Sequence, residues 1–211
     1  MSFLGLGQSK LERGLDAFEA KAWKRARKLL EEAMEEREAP EAAYHLGVLY
    51  WRGLGGEADK RAAAECFAIA ADRGYVAGMT AYGIALRSGV GGRKNEAAAR
   101  ELFREAMAAG DVEAMVQLAT MSEPPEARRL LTRAAEAGHL KAMGHLAQLI
   151  MHNDPVEALS WLYCANALKA DDPVRKLGAK LARELEAAEI EAAQRAGRVY
   201  AKNIREARGS R

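Results

Sequence analysis

The chain has 211 residues, of which 49% are apolar and only 6% aromatic, and it carries a formal net charge of +2. Lys and Arg (32) almost balance Asp and Glu (30), which excludes the basic excess of a protein that lives on phosphate backbones and leaves no class of partner favoured by global charge. Much of the apolar share is Ala and there are five prolines, a helix-former's composition in a length that suits one domain or one short repeat array.

In chain order, Met-Ser-Phe-Leu-Gly-Leu-Gly at residues 1–7 lacks a charged n-region and is too short for a signal sequence, and Ser2 stands where myristoylation needs Gly. No run of 18 apolar residues follows, so a cytoplasmic protein is expected. A first helix is expected over about residues 9–20. Leu29, Leu30 and Ala33 then form the apolar stripe of a second, and residues 1–39 read as an N-terminal cap.

From Glu41 the chain repeats itself. EAAYHLGVLYWRGLGGEADKRAAAECFAIAADRGY is echoed by AGMTAYGIALRSGVGGRKNEAAARELFREAMAAGD from Ala77. A fixed period of this length marks a stack of like supersecondary units. The first half of each unit holds a small residue, Gly47, Gly83, Ala119 and Ala147, beside a larger one, Leu46, Tyr82, Leu118 and Leu146; Tyr50 and Leu86 lie one turn on. The second halves match as Ala63, Cys66, Phe67 and Ala70, then Ala99, Leu102, Phe103 and Ala106, then Ala127, Leu130, Leu131 and Ala134, then Ala158, Trp161, Leu162 and Ala165. Their i, i+3, i+4, i+7 spacing is one stripe of an amphipathic helix.

Punctuation divides each unit into a helix pair. Gly53-Leu-Gly-Gly and Gly89-Val-Gly-Gly end one helix and turn the chain back. Asp59, Asn95 and Asp154 are placed to cap the next, with Pro155 at its first position and Glu157 completing a capping box. The third unit lacks eight residues of loop, so that Pro124-Pro125 starts its second helix directly. Cys66 and Cys164 fall on core stripes and are expected as buried thiols of a reducing compartment.

Residues 40–172 thus contain four repeats. From Asp172-Pro173 one helix is expected to run to about Ala207, about 50 Å at 1.5 Å per residue. Leu177, Leu181, Leu185, Ala188, Ala192, Ala196 and Val199 form its stripe, the first half covering the open end of the array and the rest free to project. Residues 173–211 hold ten Lys or Arg against five Asp or Glu. The expected fold is all-α, an α-solenoid of about eleven helices in antiparallel pairs closed by a long C-terminal helix and a basic tail.

The set Ala42, Leu46, Gly47, Tyr50, Gly53, Gly55, Asp59, Ala63, Phe67, Ala70, Ala71 and Gly74 resembles the Sel-like repeat family, related to tetratricopeptide repeats. The likeness is close here and in the next unit, weaker over residues 114–138 and 142–170. The resemblance implies a scaffold or adaptor that binds proteins or peptides on the surface of a curved helical array. Some secreted relatives with a disulfide in every repeat have been called β-lactamases; the present chain, with one Cys in each of two units, departs from them, and that activity is not carried over.

No enzyme is expected. GxSxG, HExxH and GxxxxGK[ST] are missing, and the two glycine loops follow helices and lack the Lys of a phosphate loop. No cofactor is expected. His139, His145 and His152 fall in one unit near Asp154, but i, i+7 separates the last two rings by about 10 Å, so no metal site is expected.

If the first helices line an inner face, the positions left over from packing form the partner-binding groove: Tyr44, Val48, Trp51 and Arg52; Thr80, Ile84 and Arg87; Val116 and Thr120; Gln148, Met151 and His152. Aromatic residues, Arg and small polar groups suit a peptide or a partner helix. Trp51 has two readings, packed on its neighbour unit or exposed to a partner. The alternatives are a homodimer through the C-terminal helix, or nucleic-acid or membrane contact by the basic tail. A solvated charged face is the expectation for that tail.

Overall fold

Ser9 starts the first helix. In the computed structural model, which describes residues 9–37 and 39–210, its hydroxyl accepts from the Glu12 N–H at 3.2 Å while the Glu12 carboxylate accepts from the Ser9 N–H at 2.7 Å. This reciprocal box opens α1 (Lys10–Glu19). There follow α2 (Trp23–Arg37), α3 (Pro40–Arg52), α4 (Lys60–Asp72), α5 (Val76–Ser88) and α6 (Glu96–Ala108). The later helices are α7 (Val112–Ala119), α8 (Pro124–Glu136), α9 (Leu140–Ile150), α10 (Pro155–Ala167), α11 (Asp172–Leu181) and α12 (Ala187–Gly209).

Gly53 and Gly89 end α3 and α5 at φ +66° and +71°, backbone that a side chain would strain. Asp59, Asn95 and Asp154 accept from the first N–H groups of α4, α6 and α10, as expected. The box at α10 is only half made. The Asp154 N–H already donates to the Ile150 carbonyl at 2.8 Å, and the Glu157 carboxylate instead accepts from Arg128 at 2.6 Å.

The helices form two compact units, Met1–Asp111 and Val112–Arg211. In the first, each of α1 to α6 packs on its neighbours in the chain, the nearest-neighbour stacking of an α-solenoid. In the second, α7 to α10 stack in the same way, and α11 and α12 both lie against α10.

The repeated small residue has a direct packing cause. A Cβ at Gly47 would come 2.6 Å from the Phe67 ring, and one at Gly83 would come 2.6 Å from the Phe103 ring. The second-helix aromatic therefore sits on the bare backbone of the first helix. In the second unit the matching positions are Ala119 and Ala147, and the ring positions are Leu131 and Leu162, all buried; a smaller aliphatic replaces the ring where the small residue gains a methyl. The second-helix stripes are buried throughout, apart from half-buried Leu102. Cys66 and Cys164 are free and buried, and burial pushes both thiols up to about 11.

The expected 50 Å terminal helix is two helices. α11 begins at Asp172, with Asp171 in the cap position. It ends in a 3-10 turn, Ala182–Glu184, and extended Leu185 (φ −115°, ψ 153°). A new capping box between Glu186 and Glu189 starts α12. The break also changes the buried face. Ala193, Gly197, Ala201 and Ile204 face inward, whereas Ala188 is exposed and Val199 is 54% exposed. Gly197 decides this register, because a Cβ there would lie 2.7 Å from the Ser160 carbonyl and 2.8 Å from the Tyr163 Cβ. Close backbone contact with α10 needs a glycine at the crossing.

The basic end of α12 is anchored. Arg205 donates to the Ala167 carbonyl at 2.7 Å and Arg208 to the Gly138 carbonyl at 2.8 Å. These are unsatisfied acceptors where α10 and α8 end, and cations are favoured there by the helix dipole as well. Tyr200 stacks on Trp161 with ring centroids 4.5 Å apart.

Candidate partner-binding site

The apolar positions of α3 and α5 left over from the Gly47 and Gly83 contacts meet in an open depression of about 170 Å³ lined by Val48, Trp51, Arg52, Phe67, Ala81 and Ile84. Four of the six, Val48, Trp51, Arg52 and Ile84, are sequence candidates. Phe67 and Ala81 were missed. The core stripe accounts for Phe67 in sequence, yet one ring can seat on Gly47 and also line the depression; Ala81 gives no signal beyond its place between Thr80 and Ile84.

Trp51 combines both of its sequence readings. Half-buried, it lies 6.1 Å from the Phe67 ring, while the Lys60 ammonium sits 4.1 Å over its own ring. The same ammonium donates to the Trp51 carbonyl, so Lys60 holds the indole by cation–π attraction and a hydrogen bond together. Sequence reasoning missed Lys60 because it lies nine positions on from Trp51, beyond a loop and a cap.

Tyr44 is half-buried beside His45, Phe67 and Tyr75, and burial raises its phenol, with the Asp111 charge adding to the effect. Thr80 is a correction. It is 4% exposed, and its hydroxyl donates to the Asp111 carboxylate at 2.5 Å, so it does not face a partner. Arg87 is half-buried in the last turn of α5.

In the second unit Val116 is a further correction: it is 2% exposed, because α7 is only eight residues long and its inward turn is all core. Thr120, Gln148 and His152 are exposed and Met151 is half-buried. The depressions of this unit have other walls, one of about 260 Å³ between α10 and α11 and one of about 410 Å³ around His139, Lys141 and Arg208.

The histidines are dispersed. His139 caps α9, its Nδ1 accepting from the Ala142 N–H at 3.2 Å, with Nε2 3.1 Å from the Glu113 carboxylate. His145 and His152 are exposed. His45 is half-buried with its ring 4.7 Å from Phe18, and burial pushes it down. Among the described residues no three His, Cys, Asp or Glu side chains are grouped to hold a metal ion, and no helix is long and apolar enough to cross a membrane.

Helix pairs stacked neighbour on neighbour, with a large side chain of the second helix matched to a small residue of the first, define an all-α solenoid repeat protein. The chain contains Sel1 repeats: the Sel1 repeat model matches residues 40–75, 76–111 and 112–139. The pair α9–α10 lies beyond those matches while keeping the buried stripe. The fold is similar to that of a Sel1 repeat protein from Oxalobacter formigenes, with a TM-score of 0.72, 21% identity, and 90% of this chain and 82% of that one covered. It is similar also to c5321, a protective antigen of uropathogenic Escherichia coli strains with an SLR fold, at TM-score 0.68, 20% identity, and coverage of 93% and 45%. No curated protein matches. Sel1 repeats are generally protein–protein interaction modules, and proteins built from them are typically non-enzymatic.

Proposed function

We propose that this protein is a non-enzymatic cytoplasmic adaptor that takes a peptide or helix of a partner protein onto the α3–α5 face of its first unit. The observation that carries this is the depression between Trp51 and Ile84. Its walls include half-buried Val48, Trp51, Ala81 and Ile84 beside the core ring of Phe67, and it has an exposed Arg at its edge. A Trp flanked by Arg over an apolar hollow is the composition of interface hot spots. The rival reading, contact through the C-terminal helix, has less to work with: α12 lays its small-residue face on α10, and Arg205 and Arg208 bond to carbonyls of their own unit.

The test is a crosslinking pull-down from the native cell, comparing wild type with Trp51→Ala/Arg87→Ala and with Ile84→Asp after matching their helicity. A protein captured by wild type and lost in both variants supports the site. Capture that survives both variants and ends on deletion of residues 187–211 transfers the function to α12.

A further inference from the structure

The chemistry of the α3–α5 depression selects among partners, and this selection rests on the binding reading just given. Its floor is apolar, with Val48, Phe67, Ala81 and Ile84. Its charge is confined to one end, where α3 and α5 finish: Arg52 in the last turn of α3, Arg87 in the last turn of α5, and Lys60 fixed on the Trp51 ring. Arg52 and Lys60 are both exposed. Of the acids close in sequence, Asp59 accepts from the N–H groups of Arg61 and Ala62, Glu96 pairs with Lys94 at 2.6 Å and Glu57 is exposed in the loop before Lys60; none of the three lines the depression.

One effect opposes anion binding at this end. The C-terminus of each helix carries about half a negative charge, and two of them finish here. Against that, α3 has part of its end answered by Lys60 on the Trp51 carbonyl, and Arg52 is the charged side chain among the lining residues.

We infer that the occupant is an acidic amphipathic segment of another protein. Its large apolar side chain fills the depression beside Trp51, and its Asp or Glu residues meet Arg52 and Lys60. Rim charges of this kind set partner choice and salt dependence more than raw affinity. A segment with the same apolar residues and Lys flanks is rejected by the same cations.

The probe is a displayed library of random twelve-residue peptides selected against the full chain. The expected winners carry a Trp, Phe or Leu flanked by Asp or Glu. The strongest, made synthetically, weakens about tenfold or more on Arg52→Glu/Lys60→Glu and on raising sodium chloride from about 50 to about 300 mM, and its Lys-flanked version reverses the preference. Both rim residues are exposed, so the reversed variant keeps its fold, checked by melting. Winners that are lost with Ile84→Asp but show no acidic bias and ignore Arg52→Glu/Lys60→Glu overturn the charge selection and leave the site standing. Winners indifferent to Ile84→Asp and to Trp51→Ala overturn both.

Discussion

The Nε2 of His139 lies 3.1 Å from the Glu113 carboxylate, joining the first turn of α7 to the cap of α9. Since Nδ1 of the same ring accepts from the Ala142 N–H, the neutral ring carries its proton on Nε2 and donates it to Glu113. That bond comes first, opposed by partial burial and aided by Gln117 and by the charges of His139 and Lys141; together they lower the Glu113 carboxyl from the usual 4.5 to about 2.

A depressed carboxylate gives stability that is fully present above its unfolded pKa and lost as pH falls through the folded one. The window here runs from about 4.5 down to about 2. Full conversion would be about 3 kcal/mol, but the Glu113 side chain is 36% exposed, and solvent screening brings the expectation to about 1 kcal/mol. Glu113→Gln should lower urea stability at pH 7 by that amount and flatten its fall across the window. Parallel pH profiles for variant and wild type would remove Glu113 from this role.

Gly83→Ala puts a methyl 2.6 Å from a fully buried Phe103 ring. Overpacking costs about 1–3 kcal/mol, and helix propensity returns about 1, so a net loss is expected. Phe103→Leu in the same chain should recover part of the Gly83→Ala loss, giving a coupling of about 1 kcal/mol in a double-mutant cycle. Additive losses would show that the ring and the glycine do not share this contact.

Gly197→Leu cannot keep α12 on α10 with the Ser160 carbonyl 2.7 Å from the Cβ. The expected result is a released α12, proteolysis near residues 182–186, and exposure of Cys164. In a Cys66→Ala background, Cys164 should resist a thiol reagent in the otherwise wild-type chain, being wholly buried with its thiol raised to about 11, and react rapidly once Gly197 is replaced. Unchanged labelling would deny the crossing its dependence on glycine.

Trp51→Ala and Phe67→Ala separate surface from core. Phe67 is 4% exposed and seated on Gly47, so its loss should cost about 3–5 kcal/mol. Trp51 is half-buried, and its loss should cost about 1–2 kcal/mol by the area it shields. Equal losses, read from chemical denaturation, would assign Trp51 to the core.

The sequence by itself determined what local chemistry dictates. The 36-residue echo, the stripes from Ala63 to Ala165, the caps at Asp59, Asn95 and Asp154 and the turns at Gly53 and Gly89 each follow from spacing or from a residue's own backbone preference, and all stand in the structure. Four residues of the depression, Val48, Trp51, Arg52 and Ile84, were legible as what the stripes left over. The tertiary structure decided the rest, because those features depend on residues distant in sequence. Thr80 is inside because Asp111, 31 residues on, accepts the hydrogen bond of its hydroxyl. Lys60 belongs to Trp51 because a loop returns it to that ring. α12 breaks away at Leu185 and turns Gly197 inward: the composition is helical on both sides of the break, and the Glu186–Glu189 box together with the surface of α10 distinguishes one continuous helix from two.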